Sequence, residues 1–296
     1  MEARAFAATV ERNLLLQTRR GLKLLLAQPA ARARGLAEVR ELEVQGAAGP
    51  LRARYYEPAD AGAGPLLLFL HGGGFVCGDI DTHDSITSWL AKTSGLRVLS
   101  VGYRLAPETP FPGQIEDARA ACAWALNVAP SFGADAESLV LSGDSAGAYL
   151  AMTCAVDLNT QRPGTARAQA LLYPLVHIDQ QLWAEEELRN FRFVGRLAAL
   201  YIAAKLGAEH FPSLLDLDLT RAPPTIMASG GALDPVRADV KTLATALSAA
   251  GVRVVEKKYP VLMHGGLNFT AVSGLATGAL SDIGAALRAE LNSPSP

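Results

Sequence analysis

Cysteine is scarce in this chain of 296 residues, which has only Cys77, Cys122 and Cys154. Their spacing matches no metal-ligand pattern, and an odd number makes no complete disulfide framework. They read as reduced thiols of a cytosolic protein, with Cys77 a small space-filling residue. Net charge is almost absent as well, since 27 Lys and Arg stand against 29 Asp and Glu to leave −2. That balance gives no electrostatic reason to expect nucleic acid or an anionic membrane as a partner. Long apolar runs are missing from the amino-terminal region. Leu14-Leu15-Leu16 and Leu24-Leu25-Leu26 are separated by Arg19, Arg20 and Lys23. They are too broken for a signal-peptide core and too short for a membrane span, so no stable membrane insertion is expected.

What is present is apolar content: half of the residues are hydrophobic, enough for one large core in a single α/β domain. Ala3 to Gln28 carries apolar residues at helical spacing and predicts one or two amphipathic helices lying on the body of the protein. Strand-like runs follow at Val39 to Gln45, Leu51 to Tyr56, Pro65 to Leu70, Leu96 to Gly102, Leu139 to Leu141, Ala168 to Tyr173, Thr225 to Gly230 and Val252 to Tyr259. Helical segments are read at Ile115 to Val128, after residue 147 through Leu158, at Val236 to Ala250 and from Gly274 to Leu291. This alternation implies a mostly parallel eight-stranded sheet covered by helices on both faces, with ligands bound beyond the carboxyl ends of the strands. One stretch, between Val176 and Pro212, has helical patterning and aromatics (Trp183, Phe191, Phe193, Tyr201, Phe211) but no strand. We read 177–212 as a cap insertion over the strand ends, joined by the helices of 1–36. The catalytic body is then 37–176 and 213–296. Phe75, Trp183, Phe191 and Phe193 are the candidate lining of an acyl or alcohol pocket.

Two motifs carry chemistry. Gly143-Asp144-Ser145-Ala146-Gly147 follows an apolar strand and opens a helix. A serine between two glycines at such a junction is the nucleophile elbow of an α/β hydrolase, where a tight turn strains the backbone and lifts the hydroxyl above the sheet edge. Upstream, His71-Gly72-Gly73-Gly74-Phe75 ends a buried apolar run. Three consecutive glycines expose backbone amides, which with that of Ala146 would make an oxyanion hole. A serine hydroxyl needs a general base, and the base an orienting acid. The chain has five histidines: His71, His83, His177, His210 and His264. The order serine, acid, histidine removes the first two, and the next two lie in the presumed cap, which leaves His264 on the loop after the last strand. Asp234, in Gly230-Gly231-Ala232-Leu233-Asp234-Pro235, sits on the preceding catalytic-edge loop. Asp239 is its nearest rival and reads as a solvated helix charge.

These segments, together with Thr82-His83-Asp84, Tyr103-Arg104-Leu105-Ala106-Pro107-Glu108, Phe111-Pro112 and His264-Gly265, resemble the hormone-sensitive lipase family of α/β hydrolases, the bacterial family IV esterases. The resemblance covers about residues 65 to 270. It implies Ser145, Asp234 and His264 as a triad, and the amides of Gly73, Gly74 and Ala146 as the oxyanion hole. It also implies hydrolysis of short- to medium-chain acyl esters as small-molecule substrates, no cofactor, no metal, and a homodimer formed through the last strand. Two departures stand out. Gly266 occupies the place where the family carries an aromatic after His-Gly, with Phe269 three positions on. Val236-Arg237-Ala238-Asp239 replaces further acidic residues after Asp-Pro. Arg104 and Glu108 read as a structural charge network behind the glycine loop, Asp117 as a helix-face contact, Asp144 as pointing away from the reacting centre, and His71 as a brace of that loop. Two alternatives stay open: an amide, formamide or carbamate hydrolase with the same triad, and a small-molecule receptor on this fold.

Overall fold

The structure, a computed structural model, describes residues 2–28, 31–177 and 211–293, with side chains from residue 13 onward. Trp183, Phe191, Phe193, Tyr201 and His210, and with them nearly all of the expected cap insertion, lie outside the described residues. Helix α1 (Glu2–Leu26) precedes an antiparallel hairpin of β1 (Leu36–Gly46) and β2 (Gly49–Pro58). Then follow β3 (Leu66–Leu70), α2 (Asp84–Ser94), β4 (Val98–Val101), α3 (Gly113–Val128), β5 (Leu139–Asp144), α4 (Ala146–Gln161) and β6 (Ala166–Leu172). After the undescribed segment come β7 (Thr225–Ser229), α5 (Arg237–Ala249), β8 (Val254–Lys258) and α6 (Gly274–Asn292). The eight strands form one sheet in the order β1-β2-β4-β3-β5-β6-β7-β8. The pairs β1–β2 and β2–β4 are antiparallel and the rest parallel. No helix among the described residues is long and apolar enough to cross a membrane.

Sequence explains the layering. Every residue of β3, β4 and β5 is buried, which requires cover on both faces and accounts for their Leu- and Val-rich sequences. Each fully buried Leu there contributes about 2 kcal/mol by leaving water. Edge strand β8 alternates half-buried and exposed positions and carries Glu256, Lys257 and Lys258, charges that discourage edge-to-edge pairing with stray strands. Amino-terminal patterning resolves into a single helix. On α1, Leu15, Arg19, Leu22 and Leu26 share one face at helical spacing, and Leu15 and Leu26 are buried against the body.

Two features depart from the sequence reading. Helix α2 is not marked by hydrophobic periodicity, because Ser85, Thr87, Ser88 and Ser94 occupy its buried face. They are tolerated there because their hydroxyls are bonded: Thr87 to the His83 carbonyl (2.9 Å), Ser88 to the Ser85 carbonyl (3.0 Å) and Ser94 to the Leu90 carbonyl (2.6 Å) locally, and Ser85 to the distant Asn268 carbonyl (3.2 Å). Asp117 is a correction: it is a fully buried hub rather than a helix-face contact. Its carboxylate accepts from the Ala47 amide (3.0 Å), the Arg104 amide (3.0 Å), Arg104 Nε (2.7 Å) and Arg104 Nη2 (2.8 Å). It thereby ties α3 to the β1–β2 turn and to the loop after β4. Arg104 is thus paired with Asp117, while Glu108 pairs with Arg19 of α1 (2.8 Å). Asp117→Ala takes the acceptor away from these N–H donors, and we expect a loss of about 3 kcal/mol in unfolding free energy, read from urea denaturation.

Candidate active site

Ser145 stands between β5 and α4 with φ 52° and ψ −116°, a conformation that costs a non-glycine residue about 1–3 kcal/mol. The neighbouring glycines make the turn sterically feasible. A Cβ on Gly147 would lie 1.9 Å from the Leu70 carbonyl oxygen, and one on Gly143 would lie 2.4 Å from the Gly147 carbonyl carbon. The elbow therefore presses directly on the end of β3, where the glycine loop begins.

His264, on the loop after β8, places Nε2 2.9 Å from Ser145 Oγ and Nδ1 2.9 Å from Asp234 Oδ1. The structure so brings the three predicted side chains into one hydrogen-bonded line. Asp234 is fully buried after β7, and its carboxylate also accepts the amides of Gly230 (3.2 Å) and Val236 (3.1 Å). Burial alone would lower the His264 pKa, but the hydrogen bond and charge of Asp234, helped by the charge of Asp144, raise it above the ordinary histidine value. The Tyr173 ring packs beside the imidazole, 4.9 Å between centroids, and Tyr173 itself holds a positive φ of 37°. Sequence reasoning missed it. Its place at the end of β6, beside the elbow strand, was the available signal.

The glycine loop turns on Gly73 (φ 116°), whose carbonyl accepts the amides of Val76 (3.1 Å) and Cys77 (2.9 Å). Gly72 donates its amide to Asp144 Oδ1 (2.7 Å). Among the described residues, no acceptor lies in hydrogen-bonding geometry with the amides of Gly73 or Gly74. Ala146, as first residue of α4, has no carbonyl behind it in the helix. The site thus brings together a candidate nucleophile, a candidate base with its acid and, among the described residues, Gly73 and Gly74 amides without an acceptor.

Behind the loop lies a buried polar layer. Asp144 points away from Ser145 and also meets His83 Nε2 at 3.3 Å. Burial works against both charges, yet their mutual attraction and the Gly72 amide hold the Asp144 pKa below and the His83 pKa above their ordinary values. His71 braces the loop through Nδ1 to the Gly72 carbonyl (2.8 Å) and stacks on Tyr103, and burial plus the neighbouring His83 lowers its pKa to about 4. Asp239 requires a correction: it is half-buried and lies 3.4 Å from His177 Nε2, so it is a paired charge rather than a solvated one. Phe75 is fully buried in an aromatic cluster with Phe111, Tyr149 and Phe211, of which Tyr149 lies one helical turn beyond Ser145. Burial pushes the Cys77 thiol pKa up against the opposing charge of Arg19, which suits a packing role. Among the described residues, no group of three or more His, Cys, Asp or Glu could hold a metal ion.

Comparison with known proteins points to the same fold and family. The model of a family described by the alpha/beta hydrolase fold matches residues 67–268. The chain belongs to the hormone-sensitive-lipase-like branch of that fold. It is 35% identical over 268 residues to the carboxylic ester hydrolase LipN of Mycobacterium tuberculosis, covering 86% of this chain and 71% of that one. It is 30% identical to an acetyl esterase of Salmonella schwarzengrund over 83% of this chain and 78% of the relative. Among solved structures, a hyperthermophilic esterase of the archaeon Pyrobaculum calidifontis superposes with a TM-score of 0.83 at 29% identity, covering 95% and 97% of the two chains. The thermostable carboxylesterase EstE1 from a metagenomic library gives 0.82 at 30% identity, covering 95% and 98%.

The strain at Ser145 has a measurable price. Ser145→Gly removes the Cβ that makes this backbone costly, and we expect its unfolding free energy to rise by about 1 kcal/mol while ester turnover disappears, read from urea midpoints beside an activity assay.

Proposed function

We propose that the protein is a serine carboxylesterase that hydrolyses short- to medium-chain acyl esters through an acyl-enzyme. The observation that carries this reading is the continuous line Ser145 Oγ–His264–Asp234, with 2.9 Å at each step. His264 Nε2 accepts the hydroxyl proton as Ser145 attacks the ester carbonyl. Asp234 fixes the tautomer with the proton on Nδ1 and stabilises the imidazolium. The amides of Gly73, Gly74 and Ala146 receive the charge that develops on the carbonyl oxygen. His264 then protonates the departing alcohol. A water molecule repeats the two steps on the acyl-enzyme, releasing the acid and restoring the serine. No cofactor is required. In this proposal Phe75, itself fully buried, backs the half-buried Phe111 and Phe211 that line one side of the substrate site, and the residues of 177–212, with Trp183, Phe191 and Phe193, supply the cap.

The base works only when neutral. Because the folded His264 pKa is raised, kcat/KM should fall as pH drops through a value above 6.5. Asp234→Asn removes the group that raises it. We expect the acid limb to move to lower pH and the plateau to drop by about 10³–10⁴ in kcat, measured with p-nitrophenyl butyrate across pH 5–9 buffers. Ser145→Ala should leave the circular dichroism spectrum unchanged and abolish turnover. Wild-type rates in that variant would end the reading.

A further inference from the structure

We propose that Arg19, on the amino-terminal helix, is a positioning residue for this reaction: its guanidinium holds the backbone that shapes the glycine loop. The inference rests on the esterase reading above. Arg19 makes four hydrogen bonds across large sequence separations. Nε donates to the Val76 carbonyl (2.7 Å), Nη2 to the Ala106 carbonyl (2.8 Å) and to Glu108 Oε2 (2.9 Å), and Nη1 to Glu108 Oε1 (2.8 Å). The two carbonyls belong to the two segments that clamp the turn. Ala106 donates its own amide to the Phe75 carbonyl (2.9 Å), and Val76 donates its amide to the Gly73 carbonyl (3.1 Å). One planar cation therefore bridges both sides of the loop that presents the Gly73 and Gly74 amides, and the Glu108 carboxylate fixes the orientation of its fork.

The loop needs such support. Phe75 holds φ 63° directly after Gly74 at φ 61°. A bulky side chain persists in that conformation only where its surroundings over-determine it. Asp144 secures the loop from beneath through the Gly72 amide, and Arg19 secures its far side through Val76. Lys23, one turn further along α1, docks the same helix differently. It pairs with Asp79 (2.9 Å) and Asp81, beyond the turn formed by Gly73, Gly74, Phe75 and Val76. The two basic residues thus separate helix docking from loop shaping.

That separation gives the test. Turnover of p-nitrophenyl butyrate and labelling by a fluorophosphonate are measured for wild type, Arg19→Met, Arg19→Gly and Lys23→Met, with melting temperatures alongside. We expect Arg19→Met to lower kcat by about tenfold to a hundredfold, less than outright loss of an oxyanion donor, with KM changed by less than about threefold. The acid limb of the pH profile should stay in place, because the His264–Asp234 pair is untouched. Lys23→Met should keep kcat within about twofold of wild type. Guanidinium at low millimolar concentration should restore part of the lost kcat in Arg19→Gly. An Arg19→Met kcat within about twofold of wild type overturns the assignment. So does a loss matched by Lys23→Met and unaffected by guanidinium, which would make Arg19 a helix anchor only. A wild-type protein that neither turns over the ester nor takes the label removes the esterase reading itself, and Arg19 with it.

Discussion

The arrangement depends on one steric contact: the first turn of α4 lies against the carbonyl oxygens of Leu70 and His71 at the end of β3. No side chain fits in that gap, so the elbow and the glycine loop can meet only where glycines stand at 143 and 147. Because they meet, the nucleophile and the candidate amide donors share one edge of the sheet. The later elements then need only deliver an imidazole and a carboxylate to a place already set. β7 and β8 do so as adjacent parallel strands whose following loops both rise at that edge.

The underside of the contact is electrostatic. Asp144 is nearly inaccessible, yet it stays ionised because three groups answer it: the Gly72 amide, His83 and, more weakly, His71. A buried carboxylate without those partners would be costly. Here one charge is shared between the loop that carries the donors and the loop that carries the nucleophile, which couples their positions. The two histidines respond oppositely to the same layer. His83 gains a partner and holds its proton more tightly, while His71, fully buried and beside the like charge of His83, gives its proton up more readily.

How much of this was legible follows from the range of each interaction. The elbow and glycine loop could be read because their requirement, the absence of a Cβ, is written in residue type at adjacent positions. His264 could be read because chain order and a short supply of histidines left few candidates. Asp117 could not, since its partners lie at Ala47 and Arg104, and nothing in the α3 sequence distinguishes a buried acidic hub from a surface one. Helix α2 was hidden because its interior face carries hydroxyls, those of Thr87, Ser88 and Ser94 bonded to backbone carbonyls one turn back and that of Ser85 to the distant Asn268 carbonyl. Asp239 looked solvated for a similar reason: its partner, His177, arrives from another element. Tyr173 owes its place beside His264 to the parallel neighbours of β6, which no local pattern encodes.

The spacing of the triad along the chain also orders its assembly. Ser145 and His264 are separated by 119 positions, and the histidine comes from the loop after the sheet's final strand. During synthesis, which proceeds from the amino terminus with domains folding as units, the elbow emerges well before its base. In the mechanism proposed above, a nascent chain whose first five strands have paired would carry Ser145 without the base that activates it, and the triad would close only once β8 has joined the sheet.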